Sequence, residues 1–81
     1  MKIKYFAWVK EITTNDEENI DSSEMNNLDK LKKFLIIKYP DLKKHLDNEF
    51  LRFAVNHEYV ADNIDLKSND EIAVFPPVSG G

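Results

Sequence analysis

The sequence predicts an α+β fold in which one small mixed sheet is crossed by a single main helix. Three observations carry this reading. Residues 2–9 and 50–56 alternate apolar and polar side chains with the period of two that marks half-buried strands. Between them Leu28, Leu31, Leu35 and Tyr39 recur at helical spacing, until Pro40 ends the pattern. A last alternating run, residues 71–75, is closed by Pro76 and Pro77, which cannot extend a ladder.

In the first strand, residues 2–9, Ile3, Tyr5, Ala7 and Val9 share one face, and Phe6 and Trp8 share the other. Residues 13–17 read as a turn, and residues 19–23 as a short strand pairing back. Asn26 or Asn27 suits the N-cap of the helix, with Asp29 at the third position when Asn26 is the cap. Lys30, Lys32, Lys33 and Lys38 line its polar side. Pro40 pushes Tyr39 out of the helical region. Residues 41–46 read as a short further turn of helix with Leu42 and Leu46 inward. In the strand of residues 50–56, Leu51, Phe53 and Val55 alternate with Arg52 and Ala54. Asn56, His57 and Glu58 form a turn before a short strand at Tyr59 and Val60. Ile64 and Leu66 anchor the connection of residues 61–67, and Ser68-Asn69-Asp70 is a turn signal. The last strand sets Ile72 and Val74 against Ala73 and Phe75. The order β-β-α-β-β-β is a β-grasp pattern. It implies a single domain, residues 1–81, with residues 76–81 as a flexible C-terminal tail.

Composition narrows the chemistry. The chain has 81 residues, a net charge of −4 and no cysteine. At that length roughly 60% of the unfolded surface is buried, so a large enzyme with its own deep cleft is not expected. Without cysteine there is no disulfide, thiolate nucleophile, iron–sulfur ligation or Cys-type zinc site. His45 and His57 lie apart in the sequence and imply no metal site. The acidic balance argues against nucleic acid. No apolar run approaches a membrane span or a signal segment, which implies a cytoplasmic protein. The acidic cluster Asp16, Glu17, Glu18, Asp21 and Glu24 reads as a solvated loop that can also steer docking onto basic partners. Lys30, Lys32 and Lys33 read as a solvated helix face. No glycine-rich phosphate loop is present, so a nucleotide site is expected only on a partner.

The only two glycines are the last two residues, Gly80 and Gly81. Fully extended, the six residues from Pro76 reach about 20 Å. The prolines stiffen the exit, and Gly80-Gly81 can pass a narrow channel and present an unbranched carboxylate. Activation by ATP would give an acyl-adenylate. A sulfur donor replacing AMP would leave a thiocarboxylate, a portable sulfide that needs no cysteine. Polar, small chain ends are also common without any chemistry. Read from the residues alone, the tail suits either a carrier or a binding module.

The run Asn69-Asp70-Glu71-Ile72-Ala73-Val74-Phe75-Pro76-Pro77-Val78-Ser79-Gly80-Gly81 closely resembles the signature of the MoaD family, the small subunits of molybdopterin synthase. That family sits with the thiamine-pathway carrier ThiS among ubiquitin-like β-grasp proteins. Tyr5-Phe6-Ala7 with Lys10-Glu11, and Phe53-Ala54-Val55-Asn56, are similar to two further segments of it. Lys10 stands where arginine is usual, which removes the planar fork of a bidentate contact.

The resemblance implies a sulfur-carrier subunit whose Gly81 is adenylated and then thiocarboxylated (as 1-thioglycine), with Gly80 easing passage into the partner. A MoeB-like adenylyltransferase would use the ATP, and this chain would bind no cofactor alone. A MoaE-like large subunit would receive the tail in a heterotetramer, hold the catalytic pocket and convert cyclic pyranopterin monophosphate to molybdopterin. This chain would then act in an enzyme as its sulfur-donating subunit. Phe6, Trp8, Phe75, Pro76, Pro77, Val78 and Ser79 would meet the partner, the three aromatics as one outward apolar patch. A carrier for thiamine or tRNA thiolation shares the Gly-Gly chemistry, and a ubiquitin-like interaction domain shares only the fold.

Overall fold

The computed structural model describes residues 1–21 and 23–77. Its elements in chain order are β1 (Lys2–Tyr5), α1 (Trp8–Thr13), β2 (Glu17–Asn19), α2 (Leu28–Lys38), a 3₁₀ turn (Pro40–Leu42), α3 (Lys43–Asp47), β3 (Arg52–Val55), β4 (Glu58–Val60) and β5 (Glu71–Phe75). The strands form one sheet in the order β2-β1-β5-β3-β4. β1 and β5 run parallel at its centre, and the other pairs are antiparallel.

The β-grasp expectation holds, with one main helix over one face of a mixed sheet. The largest difference lies near the N-terminus. The strand expected over residues 2–9 ends at Tyr5, and Val9 enters a helix. Ala7 takes a positive φ of 55° and turns the chain. The amides of Val9 and Lys10 then donate to the carbonyls of Phe6 and Ala7, each at 3.1 Å. Val9 and Thr13, one helical turn apart, are both buried. The apolar residues at 7 and 9 had extended a period of two past its true end. The helix also shifts the next strand, expected at residues 19–23, to Glu17–Asn19. There Glu18 pairs with Ile3.

α2 begins at Asn27, whose side chain accepts from the Lys30 amide at 2.9 Å. Leu28, Leu31 and Leu35 point into the core, where they meet Ile3, Tyr5, Phe53, Ile72 and Val74. Tyr39 leaves the helix at φ −128°, as the following proline requires. The short helix expected at residues 41–46 appears as the 3₁₀ turn and α3, with Leu42 buried and Leu46 half-buried. β3 is shorter than the expected residues 50–56, and Phe50 is exposed. Ala54, expected opposite the core, is buried between Ala73 of β5 and Tyr59 of β4. The β3–β4 hairpin turns on Asn56 and His57, at φ 51° and 72°. Positive φ at both central residues matches the right-handed twist of the flanking strands. Asn56 also ties this turn to β5. Its Oδ1 accepts from the Glu71 amide at 3.0 Å, and its Nδ2 donates to buried Asp70 at 2.9 Å.

Candidate functional site

Among the described residues, no helix covers the face of the sheet opposite α2. Strand alternation places Lys2 and Lys4 of β1, Glu71, Ala73 and Phe75 of β5, Arg52 and Ala54 of β3, and Tyr59 of β4 on it. This face is polarised along the strands. At the start of β5 it is charged, with Lys2–Glu17 at 3.5 Å, Lys4–Glu71 at 3.4 Å and His57–Glu71 at 3.5 Å. At the end of β5 it is aromatic, with Arg52 paired across from Phe75. The Phe6 amide donates to the Val74 carbonyl at 3.1 Å, so Phe6 continues β1 by one step alongside Phe75. Phe6 is 46% exposed and Tyr59 80%. The Tyr59 and Phe75 rings lie 5.6 Å apart. Pro76 and Pro77 follow directly, so the chain leaves the sheet at its aromatic end.

Phe6 and Phe75 thus come together as expected, but Trp8 does not join them. It sits in α1, half-buried, with its ring 4.5 Å from that of His45 on α3. The helix that replaces the end of the predicted strand carries it off the sheet. Tyr59 takes the third place in the patch and was missed in the sequence. The signal was available, since the pairing of Tyr59 with Ala54 fixes its face once the hairpin turn is placed. Val78, Ser79, Gly80 and Gly81 lie outside the described residues.

The acidic segment also departs from expectation. Glu18 faces inward from β2 with a side chain 13% exposed. It accepts from Tyr5 Oη at 2.7 Å, from Tyr39 Oη at 2.5 Å and from Lys38 Nζ. Burial alone would raise its pKa. The hydrogen bonds from Lys38, Tyr39 and Tyr5 outweigh this and hold the carboxyl below its ordinary value. Tyr5 is pushed the other way, by burial first and by the Glu18 carboxylate second. The other acidic residues of that segment, Asp16, Glu17, Asp21 and Glu24, are exposed. On α2, Lys32 is not wholly solvated either, because its ammonium lies 5.4 Å above the Phe53 ring. His45 is half-buried on α3 with Nδ1 unpartnered. Among the described residues, no three His, Asp or Glu side chains gather as a metal site, and no helix is long and apolar enough to cross a membrane.

The model of the ThiS family matches residues 3–81. The chain belongs to this family. A ThiS-family relative, the molybdopterin synthase sulfur carrier subunit of Dictyostelium discoideum, is 44% identical over 99% of this chain and 94% of its own length. Among solved structures, a putative molybdopterin converting factor subunit 1 from Pyrococcus furiosus superposes with a TM-score of 0.82. It is 30% identical and covers 95% of each chain. A complex of subunits 1 and 2 of the molybdopterin-converting factor from Helicobacter pylori matches with a TM-score of 0.71 and 28% identity. That match covers 99% of this chain and 96% of that one. Both structural likenesses span nearly the whole of this ThiS-family chain.

Proposed function

We propose that this ThiS-family chain is the sulfur-carrier subunit of a molybdopterin synthase, working in the cytoplasm. One observation carries the reading: the chain leaves the sheet at the aromatic end of the face opposite α2, beside Phe6, Tyr59 and Phe75. A partner that covers those rings receives the Gly80-Gly81 terminus without reaching across the domain. Relatives aligned over the full chain are sulfur carriers of that synthase, and one structural match is a complex of its two subunits. The partner is the large, MoaE-like subunit, assembled as a heterotetramer, and it supplies the catalytic pocket.

The chemistry on this chain takes place at one carboxylate. Gly81 attacks the α-phosphorus of ATP held by a MoeB-like adenylyltransferase, and pyrophosphate leaves. The acyl-adenylate then exchanges AMP for sulfur from a sulfide-level donor. The thiocarboxylate sulfur then bonds to a carbon of cyclic pyranopterin monophosphate on the large subunit, and water cleaves the resulting thioester, leaving the sulfur on the pterin and Gly81 as a carboxylate. The domain contributes recognition and presentation, while the partners contribute the nucleotide and pterin sites.

Intact-mass measurement tests the first half. After incubation with the adenylyltransferase, ATP and a sulfur source, the chain should gain the mass of one sulfur less one oxygen, localised to Gly81. An unchanged mass would remove the carrier reading and leave an interaction domain. Adding the loaded chain to the large subunit and the cyclic pterin precursor tests the second half. Absence of molybdopterin despite full loading would point to thiamine or tRNA thiolation instead.

A further inference from the structure

Beside the aromatic end of the sheet face runs a groove of about 750 Å³ between α2, α3 and the β3–β4 hairpin. Leu46 of α3 and Val60 of β4 line it, and both are half-buried core-edge residues. Lys32 of α2 and Arg52 of β3 bring two cations to the same groove. Neither has an ion-pair partner among the described residues. Arg52 spends one N–H on the Glu49 carbonyl, from Nη1 at 3.1 Å, which leaves the rest of its fork for another acceptor. The contrast with the other end of the sheet face is informative. Lys2 and Lys4 there each meet a carboxylate of the same chain. Glu49 also lines the groove, outside ion-pair distance of both cations, so in a protein of net charge −4 Lys32 and Arg52 stand there without an ion-pair partner among the described residues, beside the apolar side chains of Leu46 and Val60.

We infer that this groove is a second contact region for the large subunit, and that it takes a segment carrying a carboxylate next to an apolar side chain. The inference rests on the carrier reading above and extends its interface. Phe75 and Pro77 belong to both surfaces, lining the groove and bordering the aromatic end of the face. A partner seated on the rings reaches the groove without leaving the protein surface. The carboxylate pairs with Arg52 or Lys32, and the apolar neighbour packs on Leu46 and Val60. A pair shielded at the edge of an interface gives register and encounter rate as well as affinity. It would fix the rotation of the carrier on its partner, which rings alone leave loosely defined.

The test is titration of the full-length chain with the large subunit, by calorimetry, for wild type, Arg52→Glu, Lys32→Glu and Phe75→Ala. Thermal melts first confirm that each variant is folded. Each charge reversal should weaken binding by about tenfold or more and flatten its salt dependence. Methyl resonances of Leu46 and Val60 should shift when the wild-type complex forms. Wild-type affinity in both charge variants, with Phe75→Ala weakened, would overturn the groove while keeping the carrier interface. If Phe75→Ala also bound as wild type, the interface on which the inference rests would fall. Deleting residues 78–81 gives a further check. Shifts at Leu46 and Val60 on deletion alone, with no partner added, would show that this chain's own tail fills the groove and would overturn the inference.

Discussion

Ala7 takes φ 55° and ψ −135° between β1 and α1. This region suits glycine, because a Cβ crowds the backbone there. Holding a non-glycine residue so costs about 1–3 kcal/mol, against about 0.5–1 kcal/mol of extra chain freedom that glycine would bring to the unfolded state. Strain relief wins that balance. Ala7→Gly should therefore raise stability by about 1 kcal/mol, or roughly 4–8 °C in Tm for a domain of this size. A thermal melt showing a lower Tm would mean that the corner is not strained. The same position shows where single residues stop being legible in a sequence. Alanine fits a strand face as well as a bend, and its φ is set by the sheet partner that captures Phe6 and by the burial of Val9. Asn27 and Pro40 were readable because a cap and a stop act through their own side chains on the adjacent backbone.

At the scale of elements, Glu18 joins three of them. From β2 its carboxylate accepts from Tyr5 of β1 and from Lys38 and Tyr39 at the end of α2. Lys38 is 44% exposed, so the ion pair itself adds little. The two phenol hydrogen bonds to a largely buried charged acceptor carry more, about 1.5–3 kcal/mol each at most. Because the native carboxyl titrates below its unfolded value, the contribution is complete above about pH 4.5 and is lost as pH falls through the lowered native pKa. Glu18→Gln should be less stable than wild type by about 1–2 kcal/mol at pH 7. The difference should close under acid, as followed by urea unfolding from pH 7 to pH 3. A constant gap across that range would place the effect in packing instead of charge. The sequence showed an acidic run but not which member turns inward. That depends on β2 pairing with β1 in the register that sets Glu18 across from Ile3, a long-range choice that local composition does not encode. The helix α2 and the strand β5 were readable in full, since each has a clean period and a proline or capping residue at its boundary.

Across the whole molecule, the sheet order β2-β1-β5-β3-β4 brings together residues that are far apart in the chain. Phe6, Tyr59 and Phe75 form one patch because the first and last strands are neighbours and the hairpin folds beside them. Two of these were expected from the sequence. Tyr59 needed the hairpin register, and Trp8 was misassigned because a helix interrupts the strand. Stability and proposed chemistry should separate cleanly at this scale. Among the described residues, the core of Ile3, Leu31, Leu35, Ile72 and Val74 takes in none beyond Val74. Deleting Gly80 and Gly81 should leave Tm within a degree or so of wild type while abolishing sulfur loading. A large fall in Tm would assign the terminus a structural role.

β5 lies between two neighbours, parallel to β1 on one side and antiparallel to β3 on the other. The chain leaves the sheet from this central strand and not from an edge. Tension applied to the C-terminus therefore reaches the strand held on both sides. Because β1 and β5 run the same way, the N-terminus and the C-terminal exit stand at opposite ends of adjacent strands. A pull between them slides the two past each other, and their slanted bonds bear the load together. Peeling one bond after another would need the opposite geometry. A terminus gripped inside a partner and then withdrawn is thus anchored in shear, and the domain can be hauled free by its tail without unravelling.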